Sequence, residues 1–249
     1  MHYIVSLIPV LLFLGFLFYL DSFKLVKIPQ MVLCVFYGVA AAIGALYLNT
    51  WLFGLLDVSS SGYSRYIAPF SEEILKAGIV LVLVQQKKVG FLVDAAIYGF
   101  ATGTGFALAE NIYSVMQSTD QDIMIWVVRG FGTALMHGGT TTLLAVMMLA
   151  EVSREKSPAR GLLPGFLLAV FLHALYNHFL VSPLISTLLI LVLFPTLLIV
   201  LFGRSEKQLQ QWLEVEFDEE VHLLSKIREG AFRATKAGAY LESVKSRFQ

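Results

Sequence analysis

The sequence has little charge and almost no cysteine. Asp, Glu, Lys and Arg make up 14% of its 249 residues, against about 25% in an ordinary soluble domain. Hydrophobic residues make up 57%. That excludes a water-soluble globular chain, and also a disordered one, which needs low hydrophobicity and high net charge. Neither sign of charge is in excess, with 18 Lys+Arg against 18 Asp+Glu. No global field therefore exists to recruit nucleic acid. The single cysteine, Cys34, excludes an intramolecular disulfide and a cysteine-built zinc site. No repeat of fixed period occurs, and neither nucleotide-binding glycine pattern (GxGxxG or the P-loop) is present. The zinc-protease pattern HExxH is missing too.

The few charges are unevenly placed. From Arg204 to Gln249 there are eight basic and eight acidic residues, leaving twenty charges for everything before. The chain therefore divides into a membrane-embedded body, residues 1–202, and a polar tail, residues 203–249. Crossing a bilayer takes about 20 apolar residues in a helix. Seven stretches qualify, near 2–20, 28–50, 69–86, 90–116, 124–150, 161–181 and 184–202. Strand-like alternation is absent, and backbone in lipid must satisfy itself, so each stretch is expected to be a helix. The first begins Met-His-Tyr-Ile-Val, without a basic leader or a small-x-small cleavage site, and reads as a retained span. The fold expected is all-α, a polytopic membrane bundle of about seven transmembrane helices.

Loop charges orient the bundle. Lys24, Lys27, Lys87, Lys88, Arg154, Lys156 and Arg160 fall in one alternating set of loops. Arg65 stands alone in the other, beside Asp57, Asp120 and Asp122. The positive-inside rule makes the first set cytoplasmic, with the N-terminus outside and the C-terminus inside.

Ionisable residues inside spans are expensive and face the bundle interior. The third span opens Pro69-Phe-Ser-Glu72-Glu73-Ile-Leu-Lys76. The fourth carries Phe106-Ala-Leu-Ala-Glu110-Asn111, the fifth Arg129 and His137, and the sixth His173-Ala-Leu-Tyr-Asn177-His178. Lys76 is one helical turn from both glutamates and can pair with either. His173 and Asn177 share a helix face, as do Arg129, Thr133 and His137. At 1.5 Å per residue, His173 lies about 12 Å from the outer end of its span and His137 about 20 Å. Glu72, Glu110 and His173 thus fall at one level in the outer half, and His137 is expected deeper. Bland readings compete: an interfacial salt bridge for Glu72 and Lys76, interhelical hydrogen bonds for each histidine, and snorkelling for Arg129. Three glutamates and two histidines spread over four spans are harder to explain that way. Gly99, Gly103 and Gly105 give the fourth span a small-residue face for close packing.

Glu72-Glu73-x-x-Lys76, Phe106-x-x-x-Glu110-Asn111, Arg129 with His137, and His173-x-x-x-Asn177 resemble the motifs of the PrsW family of intramembrane proteases, within the wider CAAX-protease and bacteriocin-processing clan. Glu110 stands where the CAAX branch usually has histidine, which favours PrsW. The resemblance implies a multi-pass peptidase of a prokaryotic cytoplasmic membrane that cuts a membrane-anchored protein, with an anti-sigma factor cut on its extracytoplasmic side as the family's precedent. Two mechanisms stay open. In one, zinc is held by Glu110, His137 and His173, Glu73 or Glu72 is the base, and Asn177 bonds the oxyanion. In the other no metal is present, Glu72 or Glu73 activates the water, and His137, His173 and Asn177 hold the oxyanion. Lys76, Arg129, Phe106 and Asn111 support either. Two rival classes use the same residues. A proton-coupled transporter would build a relay from them, but the internal repeats typical of that class are missing. A non-catalytic scaffold would not need every one of them intact.

The tail has apolar residues at Leu209, Trp212, Leu213, Phe217, Val221, Leu224 and Ile227, spaced as one face of a helix. Its charges cancel, which argues against strong binding to anionic lipid. The expectation is an amphipathic cytoplasmic helix for self-association or a partner, ending around Gly230 and Gly238.

Overall fold

The computed structural model describes residues 1–21, 26–119, 122–153, 156–178, 180, 182–235 and 238–241. Lys24, Asp120 and Arg154, used above for orientation, lie outside the described residues. The elements run α1 (His2–Tyr19), α2 (Ile28–Leu55), a single turn α3 (Ser60–Gly62), a π-helical turn (Tyr63–Ile67), α4 (Ala68–Gln85), α5 (Leu92–Gln117), α6 (Ile123–Val152), α7 (Ala159–Asn177), α8 (Pro183–Arg228) and a 3₁₀ turn (Phe232–Ala234). No strand occurs among the described residues. The contacts group the chain into two compact units, Met1–Phe202 and Gly203–Gln249.

Six helices are long and apolar enough to cross a membrane: α1, α2, α5, α6, α7 and the Pro183–Val200 part of α8. The protein is an all-α, multi-pass membrane protein. The other expected span, α4, carries Glu72, Glu73 and Lys76 within its 18 residues. Burial separates centre from periphery. The apolar windows of α5 and α6 are each 83% buried, whereas those of α1, α2, α7 and α8 are 17–28% buried. The outer helices show their remaining faces to lipid, so their exposed Leu, Ile and Phe are in their expected solvent.

Small residues set the helix spacing. The buried face of α2 is Cys34, Gly38, Ala41 and Ala45, at intervals of four, three and four. A Cβ on Gly38 would strike the Thr102 carbonyl of α5, and one on Gly105 would strike Val35 of α2. Gly99 and Gly103 face α6 in the same way, Gly103 directly against the backbone of His137. Such contacts let two backbones touch where a side chain would hold them apart.

Local signals place the ends. The Asp122 side chain accepts from Met124 N at 2.9 Å and caps α6. Asp94 Oδ2 accepts from the backbone of Gly90 and Phe91, each at 3.0 Å, and closes the start of α5. In the second unit Gly230 has φ +72°. Its N–H bonds Ile227 O at 3.1 Å, and Ala231 N bonds Lys226 O at 2.9 Å, the paired bonds of a glycine-terminated helix. Val221, Leu224 and Ile227 are exposed. The side chains of Leu209, Trp212, Leu213 and Phe217 lie outside the described residues.

Candidate active site

Four helices deliver the charged side chains to one place. On α4, one turn of helix puts Lys76 Nζ 2.6 Å from Glu73 Oε1, and both side chains are fully buried. The same ammonium lies 3.0 Å from His137 Nδ1 of α6 and 5.0 Å from the centre of the Phe106 ring of α5. Glu73 Oε1 also meets His173 Nδ1 of α7 at 2.8 Å and the Thr140 hydroxyl of α6 at 3.1 Å. An anion so deep is tolerated because a cation and several donors surround one of its oxygens. Glu73 Oε2, by contrast, is buried with no hydrogen-bond partner.

A second carboxylate closes the far side of His137. Glu110 Oε2 lies 2.6 Å from His137 Nε2, and Glu110 Oε1 lies 2.7 Å from Arg129. An ammonium can only donate, so His137 Nδ1 accepts from Lys76 and its Nε2–H points at Glu110. The His137 and His173 rings meet edge-on, 4.9 Å between centres. Phe106 packs 4.7 Å from His137. Asn111 works from behind the site: its Nδ2 donates to Ser6 O of α1 at 3.0 Å and its Oδ1 accepts from Thr133 of α6 at 2.9 Å.

His137, expected deeper than its partners, sits against Glu110. The reason is length. Helix α6 has 30 residues, about ten more than a perpendicular span needs, so counting from its end does not report depth.

Beside the cluster is a cavity of about 500 Å³. Glu72, Glu110, Arg129, His173 and Asn177 form its polar wall, and Met124, Ile125, Val128, Met136 and Leu184 its apolar one. Glu73 does not line it; Glu72 does. Asn177, expected near the reacting oxygen, spends one N–H on Ser64 O at 3.0 Å. Its amide has a second.

The donor set suits a divalent metal. Glu72, His137 and His173 each offer a ligand atom, all within 4.8 Å of one another. With Nδ1–H given to Glu73, His173 Nε2 keeps its lone pair, and it faces Glu72 Oε2 at 3.7 Å. Two electron-rich atoms at that separation, with no proton to join them, are what a cation bridges. Ligands on tetrahedral zinc stand about 3.4 Å apart, given bonds near 2.0–2.1 Å. Glu110, assigned to the metal from the sequence, is instead taken up by Arg129 and His137.

The constellation joins two histidines and buried carboxylates inside a bundle of membrane helices. A model of the PrsW family of intramembrane metalloproteases matches residues 27–202. The chain belongs to this family. It is therefore an intramembrane peptidase, acting on a membrane-embedded protein substrate in a lipid environment, and the transporter and scaffold readings fall away. Neither the curated proteins nor the solved structures give a match. The family match starts at Lys27, leaving α1 outside it, although α1 supplies the carbonyl that holds Asn111.

Several contributors carry no recognisable motif. Thr140 touches Glu73, and Asn49 donates to Glu72 Oε1 at 3.2 Å. A threonine in an apolar helix and a lone asparagine near a helix end are common, so nothing in the sequence marked either. The intramembrane position of Asn49 was the one available signal.

Proposed function

We propose that the protein is a zinc-dependent endopeptidase that cuts a membrane-anchored protein, with Glu72, His137 and His173 holding the metal. The observation that carries this is the facing pair, His173 Nε2 and Glu72 Oε2, at the edge of the cavity. When bound, zinc supplies a Lewis acid and a water of lowered pKa.

The chain's own groups do the rest. Glu73 takes the Nδ1 proton of His173, which fixes the ring's orientation and leaves Nε2 free, the usual partnership behind a metal-binding histidine. Lys76 neutralises Glu73 and fixes the His137 tautomer. Ligation through His137 Nε2 releases the proton now shared with Glu110. Glu110, on the cavity wall with Arg129 beside it, is placed to accept the proton of an attacking water and pass it to the leaving amine. The second N–H of Asn177 is the donor for the oxyanion. In this reading Glu73 is a buried anchor, and the carboxylates facing substrate are Glu72 and Glu110.

The setting follows the positive-inside orientation: a prokaryotic cell membrane, with the catalytic cluster in the outer half. By resemblance, a single-span regulator such as an anti-sigma factor, cut on its extracytoplasmic side, is the first substrate to try. The second unit, with its exposed Val221, Leu224 and Ile227, is a surface for self-association or a cytoplasmic partner. The test is cleavage of single-span reporter proteins by the full chain in proteoliposomes. E72Q, H173A and E110Q are each expected to abolish it. Wild-type cleavage by H173A would sink the proposal.

A further inference from the structure

We infer that Asn49, on α2 and outside all four motifs, is a positioning residue that sets the rotation of the Glu72 carboxylate. The inference rests on Glu72 being a metal ligand, as proposed above. Asn49 Oδ1 accepts from Tyr63 OH at 3.0 Å and lies 2.5 Å from Ser71 Oγ. Tyr63 and Ser71 are each 6% exposed, so neither hydroxyl has bulk water as an easy alternative. Two hydroxyls on the oxygen leave only one orientation for the amide. Its Nδ2 must point the other way, and it donates to Glu72 Oε1 at 3.2 Å. With Oε1 held, the second oxygen, Oε2, faces His173 Nε2 at 3.7 Å.

The brace is itself held. The Tyr63 ring packs edge-on against Phe53 of α2, 5.3 Å between centres. Tyr63 opens the π-helical turn that leads into α4, and π turns inside helical segments recur at functional sites. The next residue, Ser64, accepts from Asn177. One turn of irregular helix therefore contacts both the support of Glu72 and the amide of Asn177. Hydrogen bonds of this kind orient a ligand without touching metal or substrate, and their loss typically lowers metal affinity about 10- to 100-fold.

The test is zinc affinity of the purified full chain in detergent, by competition with a chromophoric chelator, for wild type, N49L, Y63F and E72Q. N49L is expected to bind zinc about 10- to 100-fold more weakly, and Y63F to weaken it by a smaller factor. A residue that served only the fold would lower the unfolding midpoint and leave the zinc affinity of the folded protein unchanged. If N49L does not fold, Y63F decides. Wild-type affinity in N49L and Y63F alongside weakened binding in E72Q overturns the brace and leaves Glu72 as ligand. Wild-type affinity in E72Q overturns the donor set, and the brace with it.

Discussion

Glu73 and His173 are 100 residues apart in the chain, yet Glu73 Oε1 lies 2.8 Å from His173 Nδ1. That contact joins α4 to α7 at the level of the site and determines which imidazole nitrogen is free. Its strength depends on Lys76, because a carboxylate buried this deeply needs a cation beside it.

Replacing Lys76 by methionine should therefore be costly. K76M leaves Glu73 charged and unpaired, a loss of about 3–5 kcal/mol for a broken buried pair. The double variant E73Q/K76M, which buries two neutral side chains, should be more stable than K76M alone. Denaturant unfolding of the three proteins in mixed micelles measures this. A double variant no more stable than K76M would contradict the pairing.

Thr140 should matter more for rate than for stability. T140V keeps the shape and removes the hydroxyl that lies 3.1 Å from Glu73 Oε1. Loss of one support behind the His173 partner is expected to lower kcat about 10-fold, within the range for such outer contacts. A reporter-cleavage time course at saturating substrate measures it. An unchanged kcat would remove Thr140 from the account.

Gly103 is expected to tolerate no side chain. G103A drives a methyl into the His137 carbonyl, and only backbone movement of α5 or α6 can relieve it. Overpacking of this kind costs about 1–3 kcal/mol, and here it also shifts Glu110 against His137, so cleavage should be lost as well. Gly15 is the control, with nothing within 4 Å of its added methyl. G15A should gain about 0.5–1 kcal/mol from helix propensity. Equal behaviour of the two variants would refute the close approach of α5 and α6.

Orientation is measurable by labelling single cysteines. Native Cys34 is 0% exposed and should give no background. Ser60 and Lys88 are exposed, on opposite ends of α4. An impermeant maleimide should label S60C in intact cells and K88C only after permeabilisation. The reverse pattern would turn the bundle over and place the site in the inner half.

Much of the helical framework was legible because each apolar run is long and is punctuated by polar loops. The third span shows why composition alone falls short: Glu72, Glu73 and Lys76 lower the hydropathy of α4 through the very residues that make it the centre of the site. The charged residues of the site announced themselves by lying in apolar sequence. What the sequence withheld was which oxygen meets which nitrogen. Spacing could not tell Glu72 from Glu73, since neighbours on a helix point about 100° apart and only packing shows which one faces the cavity. Nor could it place Glu110 against Arg129 and His137. The Asn49 brace was illegible because its partners Tyr63 and Ser71 are distributed over three short elements with no shared pattern.

The central claim is that Glu72, His137 and His173 form a metal-holding peptidase site. Metal content of purified, active protein, measured together with reporter cleavage, tests it most directly. The account predicts about one zinc per chain, with metal and cleavage lost together in H173A and cleavage restored when zinc is returned to stripped wild type. Cleavage that persists at the wild-type rate in metal-stripped protein would contradict it and leave a water activated by glutamate alone.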